Sequence, residues 1–210
     1  MGKALIGMIS ICAIAQCSMA WAAAPNINVE QIGSATAKIR QSGANNSAIV
    51  NQGGASDSAA VTQSSNNSQV SLSQSGSGRQ SATITQQQGM ANAVSLNQSG
   101  AGANAATVTQ TGTGNSYAAI QFALGGANSA SLTQTGSNNS ASLLQSGSGD
   151  SATQIQNGSY DHQSVVQVGV NDTAVYNQQG SNLPNIGITQ VGSNASVTVT
   201  QTAAGVLRGR

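Results

Sequence analysis

Gln41-Ser42-Gly43-Ala44-Asn45-Asn46-Ser47-Ala48-Ile49-Val50-Asn51-Gln52 decides the fold, because its pattern returns along most of this chain of 210 residues. Glutamine recurs at Gln31, Gln41, Gln52, Gln63, Gln74, Gln86, Gln98, Gln110, Gln121, Gln134, Gln145, Gln156, Gln167, Gln178, Gln190 and Gln201. Of the fifteen intervals, nine are 11 residues, four are 12, one is 10 and one is 13. A spacing held this closely marks a stacked repeat, in which each unit buries itself only against its neighbours.

Other positions keep step with the glutamines. Two residues before them stands Val, Ile or Leu in twelve of fifteen units, and four before them Ala, Val or Ile in thirteen of fifteen. Positions −4, −2 and 0 therefore share one face at period two, the spacing of a strand and not of a helix. Two residues after the glutamine comes Gly in twelve of sixteen cases, among them Gly43, Gly76, Gly100, Gly112, Gly136, Gly147, Gly169 and Gly192. Six before the next glutamine stands Asn or Asp in ten of fifteen, as at Asn46, Asn92, Asn104 and Asn139. Gly reaches positive φ without a Cβ clash, and Asn or Asp tolerates the left-handed region while capping a turn. Each unit reads as a strand of about five residues closed by a tight turn.

A strand about 17 Å long with so narrow an apolar stripe cannot bury itself alone. Two units folded back on each other make a strand-turn-strand-turn coil, and coils stacked at about 4.8 Å enclose an interior between their two strands. The expected fold is all-β: a β-solenoid (cross-β) of about 7–8 coils with two units of about 11 residues in each. The glutamines then form two columns whose amides hydrogen-bond along the stack, as Gln and Asn ladders do in cross-β structures. The long Gln121 to Gln134 interval and the Pro184 unit predict a bulge or a wider turn at each.

Composition narrows the function. The chain is 38% hydrophobic, 2% aromatic and 5% charged, against about 25% charged in an average soluble protein. Salt bridges, basic patches and acidic clusters are thereby scarce, and a net charge of +1 gives no footprint for nucleic acid or anionic membrane. The period-two pattern argues against a disordered Gln/Asn-rich linker. Lys3, the apolar run Ala4 to Ala15 and Ala20-Trp21-Ala22 read as a cleaved secretory signal peptide over 1–22. The run is too short to cross a bilayer, which needs about 20 residues. The remaining divisions are a short N-terminal segment 23–30, the repeat array 31–201 and a tail 202–210. Cys12 and Cys17 both fall inside the signal, and Gln16 stands where a lipoprotein box requires a small residue. The mature chain then has no cysteine for disulfides or thiolate metal sites. Its five basic residues (Lys38, Arg40, Arg79, Arg208, Arg210) balance five acidic ones (Glu30, Asp57, Asp150, Asp161, Asp172), so copies repel each other little.

The pattern Gln-x-Gly-x-x-Asn-x-Ala-x-x-x-Gln, in Gln41 to Gln52 and again in Gln134 to Gln145, resembles the curlin repeat. The resemblance covers residues 31 to 201. It implies a subunit of curli, the extracellular amyloid fibres of bacterial biofilms, exported through the periplasm and acting in adhesion and matrix formation. The implied partners are further copies of the chain joined head to tail, another curlin subunit and an outer-membrane export apparatus, with no nucleic acid. Two roles stay open, the main fibre subunit and a minor curlin that nucleates growth. The even, nearly uncharged repeats favour the first, and the basic end Arg208-Gly209-Arg210 favours the second. The array is longer and poorer in aromatics than the usual enterobacterial major subunit, and 23–30 is shorter than the family's secretion-targeting leader.

No enzymatic chemistry and no cofactor are expected. His162 is the one histidine, read as a solvated residue of the turn Tyr160-Asp161-His162-Gln163, and no base accompanies the abundant serines. Asp57, Asp150, Asp161 and Asp172 occupy the slot that is otherwise Asn. They read either as gatekeepers, whose stacked charges slow assembly, or as plain turn caps. A calcium-binding β-roll needs more turn aspartates than these. An ice-binding solenoid needs a flat Thr-x-Thr ladder, which Thr83/Thr85, Thr107/Thr109 and Thr198/Thr200 fit and most units do not.

Overall fold

The computed structural model describes residues 26–54 and 56–203. The signal peptide, both cysteines and Arg208-Gly209-Arg210 lie outside the described residues. Sixteen strands follow one another: β1 (Asn26–Gln31), β2 (Thr36–Gln41), β3 (Ser47–Gln52), β4 (Ser58–Asn66), β5 (Gln69–Gln74), β6 (Gln80–Met90), β7 (Ala93–Gly100), β8 (Asn104–Thr113), β9 (Ser116–Ala123), β10 (Asn128–Ser137), β11 (Ser140–Ser148), β12 (Ser151–Ser159), β13 (His162–Val170), β14 (Thr173–Gln179), β15 (Ile188–Ser193) and β16 (Ser196–Thr202). The odd strands form one eight-stranded sheet and the even strands another, each stacked in chain order. Every pairing is parallel. The fold is thus an all-β solenoid of eight coils, as the glutamine spacing predicts. At about 4.8 Å per rung the stack rises about 35 Å.

Register follows the repeat. Each glutamine faces the glutamine of the next coil, and Gly112, Gly136 and Gly158 align in the same way. Positions −4 and −2 point between the sheets and form one thin core, with Ala48, Ala59 and Ala82 layered against Val50, Val61 and Ile84. The core departs from that scheme where the sequence does. Tyr117 fills a −4 position and is paired along β9 with the small Ala119, which keeps the layer's volume level. Gln154 and Gln163 are also buried here, donating to the carbonyls of Ser142 (3.0 Å) and Ile155 (2.7 Å) respectively.

The array begins at Asn26, ahead of the Gln31 start that the glutamine count gives, because Ile27 and Val29 already occupy −4 and −2 of the first strand. Wider turns stand where they are predicted. The chain leaves Ala123 and re-enters the sheet at Asn128, and it runs from Gln179 to Ile188 without strand structure around Pro184. The register shift between adjacent strands falls elsewhere, between Ser64 and Asn66 of β4 opposite Gln87 and Met90 of β6. There Gln88 stands in a glycine slot and takes φ +57°.

Candidate functional site

The two glutamine columns run the full height of the solenoid. Gln31, Gln52, Gln74, Gln98, Gln121, Gln145, Gln167 and Gln190 make one, each Nε2 donating to the Oε1 of the next at 2.7–2.9 Å. Gln41, Gln63, Gln86, Gln110, Gln134, Gln156, Gln178 and Gln201 make the other at 2.6–3.1 Å. The second amide hydrogen has its own partner across the core. Gln110 Nε2 donates to Ala93 O (3.0 Å), Gln121 Nε2 to Ala105 O (3.1 Å) and Gln145 Nε2 to Ser129 O (2.9 Å). A glutamine therefore links successive rungs and ties its own sheet to the opposite one, a role the spacing alone does not reveal.

Glycines Gly43, Gly76, Gly100, Gly112, Gly136, Gly147, Gly169 and Gly192 all adopt positive φ. At Gly112 a Cβ would meet the backbone oxygen of Gly136 in the next rung. The Asn slot caps its turn as expected, Asn46 Nδ2 donating to Ser42 O at 2.9 Å, but it is not left-handed. The left-handed conformation belongs to the residue before it, as at Asn45 and Asn138, whereas Asn46, Asn92, Asn104 and Asn139 are buried with their side chains turned inward. Asn139 is representative: its N–H donates to Asn115 Oδ1 in the rung below (3.2 Å), and its Nδ2 donates to Thr135 O (3.2 Å) and Gly158 O (3.1 Å). Asp57, Asp150, Asp161 and Asp172 occupy the same inward slot, each at most 1% exposed. Their carboxylates face the backbone of the neighbouring rungs and not solvent. His162 is exposed at the start of β13.

The outer faces also sort in a way that counting units conceals. Because alternate units enter alternate sheets, threonines collect on the even-strand sheet, with Thr62, Thr85, Thr109 and Thr133 in one column and Thr83, Thr107, Ser131 and Thr153 in the next. The odd-strand sheet carries Phe122, Val168 and Val191 on the outside of its later rungs.

The ends of the stack differ from its interior. Ile27 and Val29 in β1 and Val197 and Val199 in β16 are only half-buried, where the equivalent residues of interior rungs are covered. Gln41 Oε1, the free acceptor at the foot of its column, is buried without a hydrogen-bond partner. At the other end no described residue lies within 4 Å of a Cβ placed on Gly192. Among the described residues no group of His, Cys, Asp and Glu is placed to hold a metal ion. Comparison of the chain with protein-family models, with curated proteins and with solved structures finds no match.

Proposed function

We propose that the protein is a secreted structural subunit that polymerises head to tail into an extracellular cross-β fibre of the curli type, as the main component and not as an enzyme. The observation that carries the proposal is the pair of open end rungs. Among the described residues, the β1 and β2 edges at one end and the β15 and β16 edges at the other present unpaired backbone groups, half-buried aliphatics and the ends of both glutamine columns. Soluble repeat proteins cover such ends with polar caps, and exposed edges otherwise template the next strand. Sixteen strands make eight whole coils, so β15 and β16 of one copy meet β1 and β2 of the next in the same sheets and the spiral continues unbroken. The curlin-like repeat and the export signal support an assembly that acts outside the cell, in adhesion and biofilm matrix.

The test is to express residues 23 to 210, dilute the chain from denaturant and follow it by dye binding, electron microscopy and fibre diffraction. Fibres with a meridional reflection near 4.7 Å are expected; a chain that stays monomeric overturns the reading. Seeding separates the two curlin roles, because a nucleator accelerates a second curlin at substoichiometric amounts and a main subunit extends its own seeds. The threonine columns of the even-strand sheet favour one second reading, an ice-binding face, although Ile155, Val175 and Asn177 interrupt them. Inhibition of ice recrystallisation by the soluble chain is its test.

A further inference from the structure

The Asn slot needs both an acceptor and a donor. Asn115 shows the full set: its Oδ1 accepts the N–H of Asn139 in the next rung, and its Nδ2 donates to Thr111 O (3.2 Å) and Gly136 O (3.1 Å). An ionised carboxylate matches only the acceptor half, since it has no hydrogen to give. Asp57 escapes the conflict because its turn supplies an extra donor. Gly54 N–H reaches Asp57 Oδ2 at 2.9 Å, while Gln80 N–H reaches Oδ1 at 3.2 Å.

Asp150, Asp161 and Asp172 all lack such relief, the Oδ2 of each being buried without a partner; of the three, only Asp150 has a second aspartate in the slot one rung up. Asp150 Oδ1 does what an Asn Oδ1 does, accepting the N–H of Asp172 at 3.1 Å. Its Oδ2 is buried without a partner, and it lies 3.1 Å from where a Cβ on Gly147 would sit. Leaving a buried charged oxygen unpaired is unfavourable for the same reason that breaking a buried ion pair is, because the charge has lost its water without gaining a partner. Asp172, one rung up in the same column, is the charged group that faces Asp150. The strands packed around this site, β10, β11, β12 and β14, contain no Lys, Arg, His, Asp or Glu; β14 contributes the phenol Tyr176, and His162 of β13 lies at the opposite edge of the coil. Among the described residues no cation offsets the carboxylate.

We propose that Asp150 is a proton-binding site of the fold: it folds as the neutral acid, with its Oδ2–H taking the place of an Asn Nδ2–H toward the turn carbonyls, so that the rungs around it take up a proton as they form. Burial, reinforced by the like charge of Asp172, pushes the Asp150 carboxyl above the ordinary carboxylate range, against the lowering effect of the Asp172 N–H. The sign follows from linkage. A carboxyl whose folded value is raised is protonated in the folded chain and ionised in the unfolded one at pH values between the two. Stability is therefore fully present below the unfolded value of about 4 and is lost as pH rises toward the folded value, by up to about tenfold in the equilibrium constant per pH unit for one proton.

The experiment compares the full chain with Asp150→Asn and Asp57→Asn from acid to neutral pH in the presence of a chelator. The equilibrium concentration of unassembled chain is read where fibres form, and the denaturant midpoint where the chain stays monomeric, so the outcome does not depend on the fibre reading. The wild type is expected to weaken with rising pH by up to tenfold per unit over the window, Asp150→Asn to lack that component, and Asp57→Asn to keep it. In the infrared, the folded wild type shows a protonated-carboxyl C=O stretch that Asp150→Asn loses. Asp150→Asn with the wild-type pH slope overturns the proposal. So does recovery of the wild type at neutral pH on adding calcium without chelator, which would put a cation in the slot.

Discussion

At the residue scale, the requirement on the column is for a side chain that donates twice and accepts once in a space without water. Gln110 is fully buried; it accepts from Gln86 and donates to Gln134 and to Ala93 O. Leucine would fill the volume but strand three partners, and glutamate would keep the shape while losing both donors. Gln110→Glu is therefore expected to lower stability at neutral pH by about 3–5 kcal/mol, the range for an uncompensated buried charge. The neutral acid can donate once again and is the form favoured in the folded state, so this variant gains stability as pH falls. Denaturant midpoints at neutral and acid pH measure both effects, and an unchanged midpoint at neutral pH would remove the columns from the account of stability.

At the element scale, strand and turn have separate requirements. Gly112 combines φ +110° with a backbone oxygen of the next rung where its Cβ would be, whereas Gly125, in the wide turn after β9, has nothing within 4 Å. Gly112→Ala is expected to cost about 1–3 kcal/mol through left-handed strain and rung displacement, and Gly125→Ala to stay within about 0.5 kcal/mol. Equal thermal or denaturant shifts for the two would refute a close approach between turns. The strands, the coil count and both columns were legible because period two and the 11-residue spacing are properties of single units. Parity also held a signal that the turn chemistry masked: −6 shares the inward face with −4, −2 and 0, which is why Asn46 and Asp172 are buried and not at the turn surface. The threonine face and the Phe122 to Val191 face were not legible, since they appear only when alternate units are assigned to different sheets. The register shift at Gln88 was visible only as a missing glycine, with nothing in the sequence to say which neighbour would absorb it.

At the scale of the whole molecule, the proposed fibre rests on two end faces of the described array, complete coils at each end, that are to fit each other and not themselves. Joining β16 to β2 and β15 to β1 of the next copy continues parallel pairing and places Gln201 and Gln190 on the free ends at Gln41 and Gln31. Two like ends brought together would instead pair their strands antiparallel and break both columns. Such a heterologous, non-closing contact builds a filament. It also permits a chain that can join but cannot be joined. Val197 and Val199 are half-buried at the β16 end and make no part of the other end. The double variant Val197→Lys/Val199→Lys leaves the β1 and β2 face and the interior rungs unaltered while placing two ammonium groups where the next core layer must dock, at a desolvation cost of several kcal/mol per charge. Added to wild-type seeds and monomer, this variant is expected to dock through its intact end and then halt growth, slowing elongation at amounts well below those of the wild-type chain. The matching pair Ile27→Lys/Val29→Lys is expected to act on the opposite fibre end only. Elongation unchanged by either double variant at equimolar amounts would mean that the end rungs are not the growing surface.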